Sequence, residues 1–111
     1  MDNPLNSLSL CSYNCRSFKN NVATVSDLCD RFDIVCLQEH WLLPSDLYLL
    51  NTFNRNIISC ASSAMDEGMD ILVGRPYGGT AILYNKALAG NIKHVFSSNS
   101  RITAVLLESN N

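Results

Sequence analysis

The chain has 111 residues, 47% of them hydrophobic, with 8 Lys and Arg against 10 Asp and Glu and a formal net charge of −2. That length allows one domain with a sizeable core, and the composition excludes a disordered polar chain. Residues 1–55 carry four positive and six negative side chains and residues 56–111 carry four of each, so no basic arm exists to bind nucleic acid by phosphate neutralisation alone.

Residues Ser7 to Asn14 alternate in period two, with Leu8, Leu10, Ser12 and Asn14 on one face and Ser9, Cys11 and Tyr13 on the other. This pattern predicts a strand that ends in polar residues. From Asn20 or Asn21, either of which suits an N-cap, Val22, Val25, Leu28, Cys29 and Phe32 recur at helical spacing, and an amphipathic helix follows. Asp33 then leads into Ile34-Val35-Cys36-Leu37, a continuous apolar run expected as a strand covered on both faces. Strand, helix and strand make a βαβ unit with two parallel strands. Pro44-Ser45-Asp46 starts a short helix through Leu50, and Ile57 to Ala61 reads as a further strand. A long loop from Ser62 to Gly79 carries Gly68, Gly74, Pro76, Gly78 and Gly79, a length that points to function. Thr80 to Tyr84 is expected as a strand turned by Asn85-Lys86, and Ile92–Phe96 and Arg101–Leu107 as two more.

The five cysteines, Cys11, Cys15, Cys29, Cys36 and Cys60, form no CxxC pair and have no His at zinc-finger spacing. Four lie in apolar segments, where a reduced Cys behaves as a small buried hydrophobe. The N-terminus lacks the charge and apolar core of a signal peptide, and no run approaches the ~20 apolar residues of a membrane span. The expected setting is intracellular and reducing, with no membrane.

Chemistry is expected where polar residues close a strand: Asn14 after the first, and Gln38-Glu39-His40 after the second. Two parallel strands present their C-terminal ends on one sheet edge, where open α/β proteins place ligand sites, so Asn14 and Glu39 are expected to converge. A carboxylate there suits Mg2+, which takes oxygen ligands and needs only one or two protein carboxylates besides water and a substrate phosphate. An ordinary solvated strand end is the other reading of the same residues.

Ser12-Tyr13-Asn14-Cys15-Arg16-Ser17, Asp33-Ile34-Val35-Cys36-Leu37-Gln38-Glu39-His40-Trp41 and Gly78-Gly79-Thr80-Ala81-Ile82-Leu83-Tyr84 together resemble the opening of the endonuclease/exonuclease/phosphatase superfamily, the DNase I-like fold. The closest resemblance is to LINE-type retrotransposon endonuclease domains, relatives of AP endonucleases. It implies an α/β fold, the N-terminal half of a four-layer α/β sandwich, with residues 1–111 as a partial domain whose second half is missing. It implies a Mg2+- or Mn2+-dependent DNA endonuclease, with Glu39 as metal ligand and Asn14 as the second catalytic residue. AP endonucleases have an acidic residue two positions beyond that Asn, where this chain has Arg16, a departure towards the retroelement branch. Arg16 either touches a phosphate or sits in solvent.

The family's remaining functional residues, a Tyr, an Asp-x-Asn pair and a terminal Ser-Asp-His, belong to the second half. The truncated chain is therefore expected to be inactive alone, and a non-catalytic remnant, a partial gene model or a phosphatase of the same superfamily are the alternatives. A retroelement origin implies a nuclear location. His40 is a candidate phosphate contact or general base, and Arg75 a candidate phosphate contact. His94 is expected as an ordinary surface histidine, Trp41 as a packing residue, the acidic Asp66, Glu67 and Asp70 as solvated, and Gly78-Gly79 as a backbone accommodation without the Lys-Ser/Thr of a P-loop. With no second sheet, one apolar sheet face is expected to be uncovered, giving marginal stability and self-association or aggregation.

Overall fold

The computed structural model describes residues 7–65 and 77–109. Its first strand, β1 (Leu10–Asn14), is followed by the helix α1 (Val22–Arg31) and by β2 (Ile34–Gln38), and β1 and β2 pair in parallel with Asn14 opposite Gln38. The expected βαβ unit is therefore present. β3 (Ile57–Ser62) and β4 (Thr80–Asn85) complete a four-stranded sheet in the order β1-β2-β4-β3, with β4 antiparallel to both neighbours. A separate antiparallel pair, β5 (Ile92–Val95) and β6 (Ala104–Leu107), follows.

The helix forms because its apolar side chains fall on one stripe: Val25 and Cys29 are buried, with Val22, Leu28 and Phe32 packed beside them. It stops where Phe32 turns extended, its N–H still bonded to the Leu28 carbonyl, and Asp33 anchors the exit. The Ser9 amide and hydroxyl both donate to Asp33 Oδ2, at 3.0 and 3.2 Å, while the Asp33 amide donates to Ser9 Oγ at 3.0 Å. Asn21 takes the N-cap position yet does not cap with its side chain. Its Nδ2 instead donates back to the carbonyls of Cys15 (2.8 Å) and Ser17 (3.0 Å), tying down the loop that leaves β1.

The main core lies between α1 and one face of the sheet, where Val25, Val35, Leu37, Leu83 and Leu50 are almost fully enclosed. Residues Pro44–Asn51 form a 3-10 helix that contributes Leu50, and Phe18 meets Phe53 edge-on at 5.1 Å. The opposite face corrects an expectation: it is not bare. Ile34 and Tyr84 pack with Leu88 and Ile92, and Cys36, Ile58, Ile82 and Val105 gather around them. Leu88 belongs to a second 3-10 helix, Lys86–Asn91, where a simple turn was expected; Asn85 Oδ1 caps it by accepting from the Ala87 amide at 2.9 Å. What stays open is the rim: Leu10, Ile102, Leu106 and Leu107 are exposed, and Phe96 is 90% exposed.

All five cysteines are free thiols. Burial pushes the Cys15 thiol up to about 11 and the Cys29 thiol up to about 12, and raises Cys11, Cys36 and Cys60 as well, so none is poised as a thiolate. No helix among the described residues is long and apolar enough to cross a membrane.

Candidate functional site

The pairing directions bring the C-terminal ends of β1, β2 and β3 to the same sheet edge as the start of β4. Beyond Gln38 the chain does not simply leave the sheet. The Glu39 amide donates to the Gly79 carbonyl and the Trp41 amide to the Gly78 carbonyl, both at 2.9 Å, while the Ser17 amide donates to the Glu39 carbonyl at 2.9 Å and the Phe18 amide to that of His40 at 3.0 Å. Residues 39–41 are thus held between the loop after β1 and the glycine turn before β4.

The turn is made in the left-handed region of backbone space. Arg16 (φ 44°), Ser17 (φ 91°), Glu39 (φ 60°) and Trp41 (φ 59°) are the non-glycine residues with positive φ among the described residues, and all four sit at this edge. Such conformations cost on the order of 1–3 kcal/mol each and persist only where the surroundings over-determine them. The strand ends at Gln38, and with Glu39 left-handed the next two side chains enter different surroundings. Glu39 stays half-buried at the rim, whereas His40 is 1% exposed and points into the protein.

Glu39 is pinned through one oxygen. Its Oε2 accepts from Trp41 Nε1 at 2.7 Å and from the Gly78 amide at 3.1 Å, and among the described residues no hydrogen bond reaches Oε1. A cavity of about 390 Å3 opens here, lined by Glu39 and Gln38, Tyr77 and the glycines, Thr80 and Arg101. Gln38 is itself positioned, its Oε1 accepting from Ser12 Oγ at 3.1 Å.

His40 is a correction to the expected phosphate contact or general base. Its Nδ1 accepts from the Leu42 amide at 2.9 Å, which fixes the proton on Nε2, and Nε2 donates to the Ser62 carbonyl at 2.8 Å. Both nitrogens are engaged inside the protein, leaving neither for a phosphate or for proton transfer. Burial lowers its pKa from the ordinary value, more than the bond to Ser62 raises it, so the ring is neutral. Gly79, at φ 94°, lies over that ring, and a Cβ there would overlap it. The glycine pair is thus a backbone accommodation: Gly78 is also left-handed, at φ 66°, and a Cβ on it would come within 2.7 Å of the Ala64 Cβ.

Asn14 is exposed beside Gln38, on the same sheet face as Ser12 and outside the lining of the Glu39 cavity. Arg16 is exposed at the start of the left-handed loop. Arg75, Asp66, Glu67 and Asp70 lie outside the described residues. His94 is exposed on β5, its Nε2 2.7 Å from the Tyr84 hydroxyl. Arg101 was not singled out from the sequence. It stands in a polar stretch between two apolar ones with no local signal, and only the fold brings it to the cavity of a carboxylate sixty-two positions earlier.

Among the described residues no group of three or more His, Cys, Asp or Glu could hold a metal. The donor set therefore does not fit a metal enclosed by protein. It fits a hard divalent cation held by one carboxylate oxygen, with water and a substrate phosphate as the other ligands.

A family profile described as the endonuclease/exonuclease/phosphatase family matches residues 11–107. No curated protein matches the sequence. Among solved structures, that of the 3′ phosphatase NExo from Neisseria, bound to product DNA hairpin, is similar with a TM-score of 0.60 at 16% identity. The match covers 91% of this chain and 38% of that one, so the present chain spans well under half the length of that neighbour, and at this identity the likeness is one of fold.

Proposed function

The chain belongs to the endonuclease/exonuclease/phosphatase family, and from that premise we propose that its Glu39 edge is the metal- and phosphate-holding part of a DNA phosphodiester hydrolase of retroelement endonuclease type. One observation carries the reading. The strained backbone of the described residues is gathered around a single carboxylate, pinned through one oxygen and, among the described residues, without a hydrogen bond at the other. Strain that a fold maintains at one place is a mark of a functional site. The DNA hairpin bound by the structural neighbour agrees with DNA as the substrate class.

In this reading Glu39 Oε1 holds Mg2+ or Mn2+. A divalent ion held there would supply the polarisation of a phosphoryl oxygen and the neutralisation of charge on the departing alkoxide. The Asn14 amide, neutral and solvent-facing beside Gln38, orients the phosphate without adding repulsive charge. Arg101 faces the same cavity and offers a guanidinium fork to phosphate oxygens, and Arg16 can do so from the neighbouring loop. Neither histidine takes the proton of the attacking water: His40 is sealed inside, and His94 is bonded to Tyr84 away from the edge. Self-association through the exposed apolar rim is part of the same proposal, and a monodisperse monomer in sedimentation would remove it.

The test is nicking of supercoiled plasmid in Mg2+. The proposal expects little nicking from residues 1–111 alone and, with a second domain half supplied in the same chain, metal-dependent nicking that Glu39→Ala lowers by at least about 100-fold, the scale of losing several kcal/mol of charge stabilisation. Phosphate released from a 3′-phosphorylated oligonucleotide without nicking would move the chain to the phosphatases. No activity in either assay with the second half supplied favours a non-catalytic remnant.

A further inference from the structure

We infer that Trp41 is a positioning residue that confines Glu39 to binding a cation through one oxygen, and so makes this edge prefer small octahedral cations of the Mg2+ and Mn2+ kind over Ca2+. The inference rests on the reading of Glu39 as a metal ligand and adds selectivity to it. Three bonds close a ring: Trp41 Nε1 donates to Glu39 Oε2 at 2.7 Å, the Gly78 amide donates to the same oxygen at 3.1 Å, and the Trp41 amide donates to the Gly78 carbonyl at 2.9 Å.

An ionised carboxylate oxygen accepts about two hydrogen bonds, and Oε2 already has two, which leaves Oε1 as the coordinating atom. Bonds to a charged acceptor are among the stronger ones, so turning Oε2 towards a cation would cost both. The indole has little freedom to follow, because its own backbone is left-handed (φ 59°) and tied to the glycine turn that supplies the second donor. Ca2+ takes six to eight oxygens and often both oxygens of one carboxylate, whereas Mg2+ is octahedral and satisfied by one oxygen from such a group. A clamp on Oε2 therefore penalises the larger ion more.

Trp41 is the sole tryptophan, so it reports on itself. Calorimetric titrations of the unsubstituted protein and of Trp41→Phe with Mn2+ and with Ca2+ give the ratio of the two dissociation constants. The expected result is a preference for Mn2+ over Ca2+ that Trp41→Phe lowers by about tenfold, the low end of the affinity change that follows loss of a group supporting a metal ligand, falling here on one ion more than the other. A purely structural role for the ring would weaken both ions alike and leave the ratio unchanged, which overturns the inference while the metal reading stands. Binding of neither ion by the unsubstituted protein overturns both. Should Trp41→Phe not fold, the single indole N–H resonance of the unsubstituted protein decides. Its exchange with water stays slow through a Mg2+ titration if the clamp holds, and exchange that accelerates on saturation overturns the proposal.

Discussion

Around Glu39 the chain crosses a sheet edge with its backbone bonded on both sides, to the loop after β1 through Ser17 and Phe18 and to the turn before β4 through Gly78 and Gly79. Along β5 and β6 the opposite holds. Four pairs of residues join two short strands, and Leu106, Leu107 and the adjoining Phe96 face solvent. Strained conformations occur at the first region because its neighbours leave the chain no other path, and the second is regular in backbone but thinly covered. The same glycine-to-alanine change should tell them apart. Gly79→Ala places a Cβ in the His40 ring at a left-handed position and is expected to cost about 3 kcal/mol or more, from overpacking and strain together. Gly90→Ala, in the 3-10 helix before β5 with nothing within 4 Å of the added carbon, should stay within about 0.5 kcal/mol. Urea unfolding of the two variants measures both. Equal losses would mean that the glycine turn is not the constrained region.

The next largest effect follows from His40. Its folded pKa lies below the ordinary 6.5 because burial penalises the charged ring. Between the folded and unfolded values the unfolded chain binds a proton that the folded chain refuses, so stability is full above about pH 6.5 and falls as the pH drops through and below it. One such group contributes at most about 1.4 kcal/mol per pH unit. Urea midpoints followed from about pH 8 to pH 5 should show the decline, and His40→Gln should flatten it. An unchanged slope in the variant would mean that the ring does not seal the edge.

The two regions also differ in how far the sequence discloses them. β1, β2 and β4 follow from their alternation and apolar runs, and α1 from its stripe, because local periodicity and burial agree there. Glu39 was legible for the same reason, as a carboxylate ending an apolar strand. His40 was not, since its inward turn depends on a left-handed Glu39 and on the space left by Gly79, neither of which is a property of the tripeptide. Asn21 reads as a helix cap and serves instead to hold the loop after β1, a choice settled by the carbonyls that the fold brings near it. In the hairpin the apolar run from Arg101 suggests a longer strand than β6. Thr103 leaves the pattern to meet the large sheet, its hydroxyl 2.7 Å from Thr80 Oγ1 and 3.1 Å from Ser62 Oγ, and tertiary bonds replace the strand pairing that the sequence suggests.

The smallest expected effect tests the thinly covered region itself. Leu106 stands opposite Lys93 on the face of the hairpin away from Ile92 and Val105, and it is 48% exposed. Replacing it with Ser removes apolar surface of which about half is already wet, so the transfer term is reduced, and the loss should stay within about 1 kcal/mol. The neighbouring Val105 packs against the Tyr84 and Ile92 cluster, and the change leaves that contact intact. A loss above about 1 kcal/mol in urea unfolding of Leu106→Ser would mean that the outer face of the hairpin is buried in solution, and the contrast with the Glu39 edge would then rest on backbone strain alone.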